Sequence, residues 1–107
     1  MHRYRTWIEI NERALASNIE TLRSMLEEQA RFCVVLKANA YGHGFKEVAQ
    51  ICGRNGVDAF AVDNIDEALE LRELFPSALI IVLGYTLFDR MTDAVKHDIH
   101  LTLYDKE

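Results

Sequence analysis

Two cysteines, one proline and one tryptophan stand among 107 residues, and each scarcity closes an option. Cys33 and Cys52 give no metal-type spacing and no disulfide framework. Both read as small core residues, Cys33 in a buried strand and Cys52 in a helix, because a free cysteine packs as a buried hydrophobe. With Pro76 alone and five glycines, no linker or low-complexity stretch interrupts the chain. Basic residues are also few, 12 against 17 acidic, for a net charge of -5 and a pI near 5.3. They are scattered, so no basic stripe offers a footprint for nucleic acid or an anionic membrane. No apolar run approaches the roughly 20 residues that span a bilayer. Met1-His2-Arg3-Tyr4-Arg5 leads into a strand pattern rather than a signal-peptide core, so the expectation is an acidic cytoplasmic protein.

Half of the residues are hydrophobic, enough for one folded domain. Residues 6 to 10 alternate as a strand does. Asn11 then stands as an N-cap before Leu15, Ile19, Leu22 and Leu26, which recur at helical spacing up to about Gln29. An apolar strand over 32 to 37 comes next. Phe45, Val48, Ala49 and Cys52 mark one face of a second helix that stops at Asn55-Gly56. Asp58 to Val62 is the next strand. Asn64 caps a third helix with Asp66 and Glu67 in its first turn, and Pro76 ends it after Phe75. Leu79 to Leu83 is another apolar strand, closed by Gly84. Phe88, Met91 and Val95 outline a fourth helix, and His100 to Tyr104 reads as a last strand.

Core strands thus begin near 32, 58, 79 and 100, a strand-helix unit every 21 to 26 residues. That is the rhythm of parallel βαβ construction. Four such strands make half of an eight-stranded barrel, whose full form takes about 250 residues. An open doubly wound sheet is the alternative. In a half-barrel, the strands expose apolar surface and an unpaired edge, which favours self-association.

Chemistry concentrates between Cys33 and Gly44. Phe32, Cys33, Val34, Val35 and Leu36 form a continuous apolar run that ends abruptly at Lys37, placing a cation at the carboxyl end of a core strand. Ala38, Asn39, Ala40, Gly42 and Gly44 then let a backbone pass close to a ligand before the helix that starts near Phe45. A lysine at a dry strand end can form a Schiff base with an aldehyde, although a lone lysine is usually a solvated surface charge.

Lys-Ala-Asn-Ala-Tyr-Gly-His-Gly, read as a unit over 37 to 44, resembles the pyridoxal-phosphate attachment motif of alanine racemases. The likeness extends, in order, through Thr6-Trp7-Ile8-Glu9-Ile10, Leu15, Asn18, Asp58-Ala59-Phe60-Ala61-Val62, Asp66-Glu67-Ala68, Leu69-Glu70-Leu71-Arg72 and Ile80-Ile81-Val82-Leu83-Gly84. It implies an α/β fold, parallel βα repeats forming about half of a pyridoxal-phosphate-binding (β/α)8 TIM-like barrel. It further implies that residues 1-107 are the amino-terminal portion of that barrel, without its carboxyl-terminal half or the family's β-rich second domain. The first strand, 6 to 10, would then belong with that second domain.

The resemblance also implies roles. Lys37 would hold pyridoxal 5'-phosphate as a Schiff base and carry the Cα proton on one face of L- or D-alanine. Tyr41 would donate a hydrogen bond to the cofactor phosphate, its alternative being an aromatic plug over the barrel mouth. Leu83 would pack beside the cofactor ring, or be plain strand core. Asn39 and His43 read as turn residues that stand behind those making direct cofactor contacts. In the family the opposite-face base is a tyrosine of the partner subunit's second domain, and an arginine faces the pyridine nitrogen; neither lies in this sequence. A homodimeric isomerase of D-alanine and cell-wall biosynthesis is implied, with the present chain an incomplete part of it. A serine racemase of the same family, a cofactor-binding module and a non-catalytic βα domain remain as alternatives.

Overall fold

The structure is a computed structural model that describes residues 5-104. Its element order is α1 (Glu12–Ser24), β1 (Val34–Val35), the one-turn segment α2 (Lys37–Tyr41), α3 (Phe45–Arg54), β2 (Ala59–Val62), α4 (Ile65–Leu74), β3 (Leu79–Val82), a 3-10 turn (Phe88–Arg90), α5 (Met91–Lys96) and β4 (His100–Leu101).

The four strands form one parallel sheet in the order β1-β2-β3-β4. Each strand pairs with the next in sequence, with a helix in every crossover. Right-handed crossovers that never reverse direction keep all the helices on one face. That is the winding of a barrel, and it removes the doubly wound sheet, whose strand order must turn back. These parallel βα repeats are part of a TIM-like barrel.

Register assigns the two faces. Val34 stands beside Phe60, Phe60 beside Ile80, and Val62 beside Val82. Phe60, Val62, Ile80 and Val82 are wholly buried in one cluster with Ala49 and Cys52 of α3 and Ala68 and Leu71 of α4. The alternate residues, Val35, Ala61 and Ile81, share the other face. On that face Val35 is 37% and Leu83 39% exposed, because no described helix lies over it.

Local signals account for the helix ends. The Ala14 amide donates to Asn11 Oδ1, the expected N-cap of α1. Asn64 and Glu67 form a reciprocal capping box at α4, the Glu67 amide donating to Asn64 Oδ1 while the Asp63 and Asn64 amides reach Glu67 Oε1. Gly56, at φ +80, takes the left-handed position after α3, whereas Asn55 stays at φ -101. Arg23 of α1 donates to the Asn55 carbonyl at 2.9 Å and lies over the Phe32 ring, tying α1 to the end of α3.

Several expectations are corrected. Residues 6 to 10 form no strand among the described residues; a strand exists only by pairing, and the sheet's four strands do not pair with them. The strand expected over 32 to 37 is paired only at Val34 and Val35. Cys33 is exposed rather than core, since the face shared by alternate residues here is uncovered; Cys52 is buried as expected. Helix α1 ends at Ser24, short of Gln29, where Leu22 and Leu26 are exposed and have no packing face to extend it. Phe88 and Val95 are exposed, and α5 buries Ala94 instead. Last, β4 is two residues long; beyond it the Thr102 hydroxyl donates to the Val82 carbonyl and side-chain bonding replaces the ladder.

Candidate active site

Barrel chemistry sits where strands end, and the carboxyl ends of β1, β2 and β3 are level. The Leu36 amide donates to the Ala61 carbonyl at 2.8 Å, and the Leu83 amide donates to the Val62 carbonyl at 2.8 Å. Lys37 and Leu83 therefore leave the sheet at the same end. They stand two strands apart, a backbone separation of roughly 10 Å at the usual strand spacing. Lys37 is half-buried and Leu83 half-exposed.

The turn after Lys37 is unusual for L-amino acids. Ala38, Asn39, Ala40 and Tyr41 all have positive φ, between +53 and +57, so the chain winds left-handed here. Each residue so placed costs roughly 1–2 kcal/mol, because its Cβ crowds the next carbonyl. Alanine has no side chain with which to compensate. The strain is held by hydrogen bonds and packing: the Ala40 amide donates to the Leu36 carbonyl at 2.9 Å, and Ala40 itself is buried in the core. Gly42 at φ +91 and Gly44 at φ +102 complete the reversal in conformations that glycine adopts freely.

Asn39 anchors the turn to the next helix. Its Oδ1 accepts the Phe45 amide at 2.7 Å, and its main-chain carbonyl accepts the amides of Gly42 at 3.2 Å and Gly44 at 3.0 Å. His43 Nδ1 lies 2.9 Å from the Ala40 carbonyl, so the tautomer that bonds there carries its proton on Nδ1. Both residues serve the turn, as their sequence context implies. The left-handed winding had a partial signal, since asparagine tolerates positive φ, but two alanines gave none.

Tyr41 is 60% exposed at the end of the turn, its ring on the surface. The sequence did not single out two further features of this rim. Gly84 sits against Asp63: its amide donates to the Asp63 carbonyl at 2.9 Å, and a Cβ on it would collide with that oxygen. The Tyr104 hydroxyl donates to the Leu83 carbonyl, latching residue 104 to the end of β3. Among the described residues no group of three or more His, Cys, Asp or Glu could hold a metal ion. No described helix is long and apolar enough to cross a membrane.

Comparison with known proteins bears on the site. A family model described as alanine racemase, N-terminal domain, matches residues 10–107. The alanine racemase of Methanococcus maripaludis is 42% identical over 101 residues, covering 94% of this chain but 27% of that protein. Among solved structures, the alanine racemase of Clostridium difficile 630 superposes with a TM-score of 0.89 at 38% identity, over 98% of this chain and 28% of that one. A histidine racemase from Leuconostoc mesenteroides superposes with a TM-score of 0.75 at 32% identity, over 86% of this chain and 24% of its own. The chain thus spans about a quarter of the length of the relatives it matches. With the family model covering all but its first nine residues and the parallel βα winding in agreement, this chain belongs to the alanine racemase family, in its N-terminal barrel domain.

Proposed function

We propose that this chain is the amino-terminal, lysine-bearing part of a pyridoxal-phosphate-dependent alanine racemase. Residues 1-107 form about half of the barrel, and the rest of the barrel and a second domain complete the site. The observation that carries this proposal is the segment from Lys37 to Gly44. A lysine at the carboxyl end of the first barrel strand enters a left-handed turn whose strain is retained by a dense set of hydrogen bonds. Strain of that kind collects at functional sites, where surrounding structure over-determines it.

The residues present suit the cofactor. Lys37 offers an amine for the aldehyde carbon, Tyr41 a phenol four residues away for the phosphate, and Gly42 and Gly44 remove the side chains that would block close approach of the backbone. Leu83 offers an apolar contact for a planar ring at the same rim. When bound, pyridoxal phosphate supplies the electron sink that makes an amino acid's Cα–H acidic. With the cofactor bound, Lys37 Nζ would be the group placed to take or return that proton on one face. The opposite face needs a base that these residues do not include, and the active unit is a homodimer that supplies it in the cytoplasm.

Alanine is the favoured substrate because the family model and relatives such as the Methanococcus maripaludis protein carry that name. A racemase for another amino acid is the second reading, favoured by the histidine racemase that shares this half-barrel at 32% identity. A titration of the chain with pyridoxal phosphate tests the proposal. Saturable yellow absorbance that borohydride makes permanent supports it; a protein that stays colourless and unmodified contradicts it.

A further inference from the structure

Helix α3 begins without an N-cap side chain of its own, since its N-cap residue is Gly44, which makes no side-chain cap bond. Helix starts leave amides unpaired and are ordinarily closed by the residue beside them. Here the acceptor comes from Asn39, six residues before Phe45 and inside the left-handed turn: its Oδ1 takes the Phe45 amide at 2.7 Å. Phe45 is itself buried, so the tie ends on the core.

We infer that Asn39 is the positioning residue of the cofactor lysine, the side chain that locks the strained turn onto α3 and so fixes where Lys37 and Tyr41 leave it. This rests on the proposal that Lys37 carries pyridoxal phosphate. Three features make asparagine suited to the task. It tolerates positive φ better than other non-glycine residues, and its φ here is +56. Its side-chain carbonyl reaches the Phe45 amide from six residues away. Its main-chain oxygen is at the same time held by Gly42 and Gly44, so one residue binds three successive parts of the reversal. Without the Oδ1 bond, Ala38 and Ala40 lose part of what holds them left-handed, and they relax toward the right-handed well they prefer.

The substitutions separate the side-chain bond from backbone preference. Asn39→Gly keeps the left-handed φ but removes the acceptor. Asn39→Asp keeps both, and its carboxylate suits a helix start. Two readouts are followed in the same chain. The first is amide hydrogen exchange at Phe45, with Ile80 in β3 as the reference for global folding. The second is borohydride trapping of pyridoxal phosphate at Lys37 relative to the exposed Lys96. Loss of one such bond is expected to speed Phe45 exchange about tenfold in Asn39→Gly and to slow relative trapping at Lys37 by a similar factor, with Ile80 unchanged. Asn39→Asp should stay within about threefold of the parent on both, by the same measure. The inference is overturned if Asn39→Gly traps at Lys37 as the parent does, or if Asn39→Asp is as impaired as Asn39→Gly. Should the parent itself show no preference for Lys37 over Lys96, the cofactor proposal fails and the positioning role falls with it; Phe45 exchange then still reports whether Asn39 ties the turn to α3.

Discussion

Gly84 and Asp63 meet backbone to backbone at the barrel rim: the Gly84 amide donates to the Asp63 carbonyl at 2.9 Å, and the space where a Cβ would stand is already filled by that oxygen. A methyl group there forces β3 away from the turn after β2. Gly84→Ala should therefore destabilise the fold by about 1–3 kcal/mol, as overpacking does. Gly42→Ala provides the contrast. Gly42 has open space around its missing Cβ, so that change should cost only the conformational penalty of positive φ, about 1–2 kcal/mol, with no shift in the β2–β3 register. Urea unfolding gives the stabilities, and NMR contacts between Val62 and Leu83 report the register. A Gly84→Ala protein as stable as the parent contradicts the close approach.

Arg72 binds five main-chain carbonyls. Its Nε donates to His97 at 2.9 Å, Nη1 to Phe75, Pro76 and Ala78 at 3.1, 3.3 and 2.7 Å, and Nη2 to Asp98 at 2.8 Å. One guanidinium thus closes the end of α4, the loop into β3 and the turn into β4. Arg72→Met should leave partly buried carbonyls unpaired and lower stability by about 1–3 kcal/mol. Arg72→Lys should recover only part of the loss, because a point charge cannot span the same fan of acceptors. Equal stability of Lys and Arg proteins in urea would show that charge alone matters.

The two thiols should separate cleanly. Burial pushes the Cys52 thiol above its ordinary value in a side chain that is wholly enclosed. Cys33 is exposed as a residue, yet the atoms around its sulfur raise its thiol too, with Arg31 pulling it partly back. Since the thiolate is the nucleophile, a raised pKa means a small reactive fraction at neutral pH. Iodoacetamide should modify Cys33 slowly at pH 7 and faster as pH rises, and should reach Cys52 only after denaturation. Equal labelling of both in the native protein would contradict the burial of Cys52.

Much of this architecture is legible in residues that punctuate. Asn11, Asn64, Gly56 and Pro76 mark helix ends through local chemistry, and the capping box at Asn64 and Glu67 needs no tertiary context. The apolar strands at 59 to 62 and 79 to 82 are legible for the same reason. What periodicity could not supply is cover. Leu22, Leu26, Phe88 and Val95 have helical spacing yet stay exposed among the described residues. The strand pattern at 6 to 10 fails likewise, for want of a partner edge. Lys37 and its motif stood out at once, whereas the left-handed winding of Ala38 and Ala40 did not, because it is imposed against their preference by Asn39, the Leu36 carbonyl and burial.

The chain alone should not interconvert alanine enantiomers at a useful rate. On the proposed reading the cofactor phosphate would have Tyr41, and the proton chemistry would have Lys37 on one face only. A positioned acid or base is worth about 10² to 10⁴ in rate, so lacking the second one removes most of the acceleration. D- or L-alanine incubated with the chain and pyridoxal phosphate should yield little of its enantiomer. Robust turnover in both directions would show that these residues assemble a complete site by themselves.

Which lysine carries the cofactor is the most direct question to put to the molecule. Reducing the chain with borohydride in the presence of pyridoxal phosphate, digesting it and sequencing the modified peptide by mass spectrometry discriminates Lys37 from Lys46, Lys96 and Lys106. Modification should concentrate at Lys37, at cofactor concentrations too low to label the others. That label should be lost in Lys37→Ala, whose fold remains intact because the residue lies beyond the paired part of β1. Labelling spread evenly over the four lysines, or unchanged in Lys37→Ala, would contradict the assignment of Lys37 as the cofactor lysine.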